Sequence, residues 1–260
     1  MAEPGLGWRA HLGLLRSLAI YWRPGRQAAL RALYEPFVGP GDLAFDIGAH
    51  VGDRMIALAD LGAQVVAVEP QPHLHAWLAR LARRRPGRIT LVTDAVGATP
   101  GQTDLAINVT NPTVSSASPD WRETVVRRHP GFRRQRWDAR VTVPVTTLAD
   151  LIAAHGEPAF CKIDVEGYEA EVLAGLDRPL PALSFEFVGG TLGIARAAID
   201  HLEHLAPGEY GYNMIVGERR RFAWPEWLPA ERVQAWLADG AEGIASGDLY
   251  ARRLFPRQPL

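Results

Sequence analysis

Leu43-Ala44-Phe45-Asp46-Ile47-Gly48-Ala49-His50-Val51-Gly52 sets the fold of the chain around it. The turn Pro40-Gly41 precedes a short apolar run, the run enters a loop holding two glycines, and a helical pattern from about Asp53 to Gly62 follows. Asp53 is the expected N-cap and Gly62 the stop. Strand, loop and helix in that order open an α/β fold whose ligands gather beyond the carboxyl ends of the strands.

The alternation continues downstream. Gln64 to Glu69 is a β-branched second strand closed by Pro70, and Leu74, Trp77, Leu78 and Leu81 form the apolar stripe of the next helix. Arg88 to Thr93, Phe160 to Asp164 and Leu183 to Phe187 read as further strands, which together predict a mostly parallel, doubly wound sheet covered on both faces. Residues 104 to 147 break the pattern. Asp104 to Val109 and Val141 to Val145 look like extra strands around a polar, basic stretch, an insertion between the third and fourth core strands. Tyr210 to Val216, a helix near Ala230 to Ala238, and Leu249 to Phe255 are expected to complete the sheet. Two helices separated by Pro24-Gly25 precede it, and the whole is expected to be one domain with residues 1–39 as a helical extension.

Composition narrows the partners. With 28 basic and 29 acidic residues the formal net charge is −1, so no nucleic-acid partner is expected. The single Cys161 lies in an apolar run, which excludes an internal disulfide and points to a buried thiol in a reducing, cytoplasmic setting. No apolar run is long enough to span a membrane, and the N-terminus with Glu3 does not read as a signal peptide. Oligomeric state is not legible. The N-terminal helix, with Arg9, Arg16 and Arg23 beside apolar residues that include Leu12, Leu15 and Leu18, is expected to bury its apolar stripe against the domain.

The chemistry concentrates at two places. Asp46, Gly48 and Gly52 lie between strand and helix, with Glu69 at the end of the next strand, where a carboxylate can accept hydrogen bonds from both ribose hydroxyls of a nucleoside. A dinucleotide fold would have a glycine where this chain has Asp46. A carboxylate there repels a pyrophosphate but attracts the ammonium and sulfonium of S-adenosylmethionine. The second place is Lys162-Ile163-Asp164-Val165-Glu166-Gly167-Tyr168-Glu169, where a strand delivers acids to the edge above the first strand.

Both places resemble the FkbM family of S-adenosylmethionine-dependent methyltransferases, through F-D-I-G-A-H-V-G-D, V-V-A-V-E-P, D-A-V-G and above all K-I-D-V-E-G-Y-E followed by V-L-A-G, from about Pro40 to Phe187. The resemblance implies a class I methyltransferase fold, a seven-stranded Rossmann-like sheet with an antiparallel last strand, and acceptors that are hydroxyl groups of sugars or natural products. It also implies that Asp46, Gly48 and Gly52 line the methionine part of the cofactor, Glu69 binds ribose, Asp94 lies near adenine and Asp164 faces the reacting region. The chain departs from the family pattern at His50, where Asn is usual, and at Leu148-Ala149-Asp150, where Leu-Asp is usual.

The expected reaction is in-line O-methylation, with Asp164, Glu166 and His50 as candidates for the base and His50 also as a cofactor-loop contact. Glu169 reads as a first-turn acid on its helix. No metal is expected, because no further carboxylate or His visibly completes a site with Asp164 and Glu166. The histidines at 73, 75, 201 and 204 have no trusted ligand spacing. Arg127, Arg128, Arg133, Arg134 and Arg136 read as a solvated loop, although with Trp121 and Trp137 they also suit a sugar acid or phosphate. Two other readings stand beside this one, a nicotinamide-dependent enzyme of the same fold class and a non-catalytic S-adenosylmethionine-binding module.

Overall fold

In the computed structural model, residues 7–254 are described; Glu3, part of the signal-peptide reading, and Phe255, the expected end of the last strand, lie outside them. The apolar runs become seven strands of one sheet: β1 (Leu43–Ile47), β2 (Gln64–Val68), β3 (Ile89–Val92), β7 (Phe160–Ile163), β8 (Ala182–Val188), β9 (Tyr210–Val216) and β10 (Ser246–Arg253). Their order is β3-β2-β1-β7-β8-β10-β9. Neighbours pair in parallel from β3 to β8, whereas β10 runs antiparallel to both β8 and β9. This is the seven-stranded sheet with an antiparallel last strand that the resemblance implies.

Helices cover both faces because the strands are apolar on both. Phe45, Ile47, Val66, Ile163 and Phe185 pack toward α7 (Glu169–Ala174), α8 (Leu192–Leu205) and α9 (Ala230–Ala238). Ala44, Val65, Ala67 and Phe160 face α2 (Arg26–Tyr34), α3 (Asp53–Asp60) and α4 (Pro72–Ala82). Each large side chain so buried contributes roughly 1.5–3 kcal/mol relative to exposure. Cys161 is fully buried in the first cluster, as expected.

The insertion is more ordered than its sequence suggests. A second sheet, ordered β4-β6-β5, joins β4 (Ala95–Val96), β5 (Gly101–Ile107) and β6 (Ala139–Thr146). Between β5 and β6 lies α5 (Pro119–Arg128), capped by the Ser118 hydroxyl, which accepts from the Trp121 amide at 3.2 Å. After β6, α6 (Leu148–His155) starts at Thr147, whose hydroxyl accepts from the Asp150 amide at 3.0 Å. Asp150, the acid displaced from the family pattern, thus belongs to a helix cap.

Two local expectations are corrected. Asp53 does not cap α3: Gly52, at φ 75°, holds that position, and the Asp53 carboxylate is turned away to accept from Arg26 Nε at 2.7 Å. The N-terminal helix α1 (Gly7–Tyr21) buries its apolar stripe only in part, Leu14 and Leu18 being half-buried. Ala10, Gly13 and Ser17 face inward, while Trp8, Leu12 and Leu15 are exposed. A side chain at Gly13 would lie 2.4 Å from the Val109 carbonyl, so the close approach selects the small face of the helix.

Candidate active site

The strand order reverses between β1 and β7, and there, beyond the carboxyl ends, a cleft encloses about 1140 Å³ including its open mouth. Its floor is the loop after β1. The Gly48 and Ala49 amides both donate to the Val68 carbonyl at 2.9 Å, hanging the loop on the end of β2. Gly48 has φ 82°, and a Cβ there would stand 1.9 Å from the Asp164 carbonyl oxygen, so only glycine lets the loop pass the end of β7. The indoles of Trp22 and Trp77 both donate to the Val51 carbonyl, at 3.2 and 3.1 Å.

Glu69 organises the same loop from the side. One of its oxygens accepts from the His50 amide at 2.7 Å and the other from the Gln71 amide at 2.9 Å. Burial pushes this carboxyl up to about 7 against the pull of those two amides. His50 itself takes a left-handed conformation, φ 49°, and its ring meets Tyr21 edge-on at 5.3 Å. Its Nε2 is buried with no hydrogen-bond partner, and burial lowers the imidazole to about 4, so it is neutral at physiological pH.

Asp46 is fully buried and aligned with Lys162 across the β1–β7 ladder. Neither of its oxygens has a hydrogen-bond partner, and burial raises it to about 6 despite Lys162 and Arg54. At the end of β7, Asp164 Oδ2 lies 2.5 Å from Lys162 Nζ and 3.9 Å from the Arg54 guanidinium. Burial alone would raise Asp164, but the two cations outweigh it and hold the carboxyl below its ordinary value.

The turn after Asp164 is clamped by the insertion. Ser116 donates its hydroxyl to the Glu166 carbonyl at 2.6 Å. A Cβ on Gly167, φ 88°, would fall 2.0 Å from Trp121 Cγ, so the indole seats directly on the glycine. Glu169 Oε1 accepts from the Val165 and Gly167 amides, both at 3.2 Å, which closes the turn from the helix side. Glu166 is thereby fixed at φ 54° and is buried. Trp121 and Trp137 serve packing: the first is buried against Val125 and Val188, and the second donates to the Val114 carbonyl at 2.7 Å.

The structure therefore brings Gly48, His50, Glu69, Asp164 and Glu166 to the cleft wall, while Asp46, Gly52 and Asp94 do not line it. Asp46 lies in the strand beneath. Gly52 faces the interior, where a Cβ would meet Met55, Leu78 and Leu81 side chains. Asp94 precedes Ala95 and Val96, which do line the cleft. Lining residues that escape the sequence reading include Tyr21, Arg54, Gln71, Glu186, Glu218 and Asp248. Glu186 carries a visible signal, a lone acid inside the apolar strand L-S-F-E-F-V.

Residues 46–214 match the family described as the methyltransferase FkbM domain, which covers well over half of the chain and both chemical loops. The chain belongs to the FkbM methyltransferase family. Its fold is the class I methyltransferase fold and its cofactor is S-adenosylmethionine, which sets aside the nicotinamide and non-catalytic readings. Among curated proteins, this FkbM methyltransferase is similar to the hexuronic acid methyltransferase AglP of Haloferax volcanii, 26% identical over 181 residues that cover 67% of each chain. Solved structures similar to it include a putative O-methyltransferase from Klebsiella pneumoniae, TM-score 0.45 and 10% identity, covering 97% of this chain and 91% of that one. Precorrin-6y C5,15-methyltransferase from Geobacter metallireducens GS-15 gives TM-score 0.44 and 11% identity, covering 89% and 90%.

The cleft of this FkbM methyltransferase suits a cationic nucleoside. Glu69 offers free lone pairs, Asp46 has two unpartnered buried oxygens beneath the loop, and Gln71 Oε1 is likewise buried without a partner. No helix among the described residues is long and apolar enough to cross a membrane.

Proposed function

We propose that this methyltransferase methylates a hydroxyl group of a sugar, glycan precursor or related natural product, and that a carboxylate takes the hydroxyl proton. The observation that carries this reading is the acid group Asp164, Glu166 and Glu186 on the cleft wall beside the cofactor loop. A hydroxyl is a weak nucleophile and gains from a base within hydrogen-bond reach. The similarity to a hexuronic acid methyltransferase supports an acceptor of the sugar class.

In this reading the bound cofactor supplies an electrophilic methyl group on a sulfonium. Glu69 accepts hydrogen bonds from the ribose hydroxyls, and the amides of His50 and Gln71 keep its carboxylate aimed at them. Asp46 and Asp164 supply negative potential for the ammonium and sulfonium, Gly48 admits the methionine part, Gly52 seats the loop on α4, and Asp94 borders the adenine. Lys162 and Arg54 keep Asp164 ionised, which suits it to orient donors. Burial and then Asp164 and Glu169 raise the proton affinity of Glu166, which makes it the stronger base of the two once it is ionised. His50, neutral and weakly basic, shapes the loop and accepts at most a hydrogen bond. The 104–147 insertion forms the acceptor side, with Thr113 and Ser115 on the wall. The buried free thiol and the near-zero net charge support a reducing, cytoplasmic setting and a partner that is not nucleic acid.

The test is methyl transfer from labelled cofactor to a panel of hexuronic acids, neutral sugars, nucleotide sugars and glycolipid precursors, with amines, thiols and RNA as comparators. The expected product is a methyl ether, located by NMR. Label found only on nitrogen, carbon or nucleic acid sinks the reading.

A further inference from the structure

The acids on the cleft wall are under-compensated. Asp164, Glu166 and Glu186 each place a carboxylate oxygen so that all three lie within 4.8 Å of one another. They come from different parts of the fold: Asp164 and Glu166 from the clamped turn after β7, and Glu186 from β8, the next strand along the sheet. The two nearby cations, Lys162 and Arg54, both reach Asp164, and among the described residues no ion pair reaches Glu166 or Glu186.

A second observation points to a missing positive partner. Glu166 is 7% exposed and lines the cleft, and among the described residues its carboxylate takes part in no hydrogen bond. Glu186 Oε2 is also buried without a partner. Packed carboxylates that lack donors are destabilising unless a proton or a cation joins them.

We infer that Asp164, Glu166 and Glu186 form a binding site for a hard divalent cation, magnesium or manganese, at the acceptor end of the cleft. Three oxygen donors on one side of an open cleft match what such ions take from a protein, the remaining positions being filled by water or by oxygens of a bound acceptor. An acceptor presenting two adjacent oxygens, such as a vicinal diol or the hydroxyl and carboxylate of a sugar acid, is the chemistry that completes such a site. An acceptor hydroxyl bound to the ion loses its proton more easily, and a carboxylate ligated through one oxygen keeps the other for that proton. The acceptor role rests on the O-methylation reading, whereas the cation site rests on the cluster alone.

The experiment uses the full chain and Mn²⁺ as probe, followed by electron paramagnetic resonance in the absence of acceptor. One saturable site is expected, weakened on the order of tenfold or more in Glu186→Gln and in Glu166→Gln, and unchanged in Glu171→Gln on the exposed face of α7. Binding of S-adenosylhomocysteine by the two weakened variants, at wild-type affinity, verifies that they are folded. No saturable Mn²⁺ binding, or binding indifferent to both substitutions, overturns the site. Mn²⁺ binding without transfer to any hydroxyl leaves the site standing and sinks the O-methylation reading; chelator-resistant transfer with no Mn²⁺ binding does the reverse.

Discussion

His50 is a histidine in a backbone conformation that suits asparagine, and the left-handed φ of 49° gives a physical reason for the residue usual in the family. Its contact with Glu69 runs through the backbone amide, which any residue supplies. His50→Asn is therefore expected to keep cofactor affinity and turnover close to wild type. Because its imidazole titrates near 4, no limb near 6.5 belonging to it should appear in the pH dependence of kcat. Glu166→Gln should behave otherwise, lowering kcat by roughly 10²–10⁴ while S-adenosylhomocysteine binding, read by calorimetry, is retained. Glu169 gives a stability prediction. Its folded-state value, about 7, lies above its unfolded one, so the native chain binds more protons between the two and loses stability as pH rises from about 4.5 to 7. Glu169→Gln keeps an acceptor for the two turn amides without the charge. Its free energy of unfolding should match wild type near pH 5 and exceed it at pH 8, a gap on the order of 2–3 kcal/mol read by urea denaturation. A constant gap across that range would refute the assignment.

At the scale of elements, the turn between β7 and α7 depends on α5, which lies more than thirty residues earlier in the chain. Gly167→Ala places a methyl group into the Trp121 indole and also meets a positive φ, so it should displace α5, raise amide exchange in residues 116–128 and lower kcat. Trp121→Ala leaves a cavity there and should cost about 3–5 kcal/mol in urea denaturation. This dependence also marks the limit of what the sequence discloses. The strand–loop–helix units are legible because their periodicity is local, and K-I-D-V-E-G-Y-E is legible because its acids and glycine sit side by side. Glu186 as a cleft residue is not, since only sheet order sets β8 beside β7. Tyr21 and Arg54 reach the cleft through helix packing that leaves no local pattern. The N-cap expectation at Asp53 fails for the same reason, because Arg26, far away in sequence, claims the carboxylate.

Across the whole molecule, Arg26 fastens the N-terminal helices to the methyltransferase core. It is 7% exposed, donates at 2.7 Å to Asp53 in α3 and to Glu218 after β9, and lies over the Tyr21 ring at 4.7 Å. Arg26→Met leaves Asp53 buried and should cost about 3 kcal/mol of stability in urea, the lower end of the range for broken buried pairs, because Arg54 remains 3.8 Å from Asp53. Arg26→Met combined with Asp53→Asn should recover part of that loss. Tyr21 forms cleft wall, so the single variant should also weaken cofactor binding. The convergence of Trp22 and Trp77 on the Val51 carbonyl has a practical corollary. Two fluorophores, one at the end of the first N-terminal helix and one in α4, share one peptide group and touch edge-on at 6.4 Å, so rotation of that peptide alters the emission of both. Intrinsic fluorescence thus becomes a built-in gauge of loop state, with Trp22→Phe and Trp77→Phe separating the motion of the N-terminal helices from that of α4.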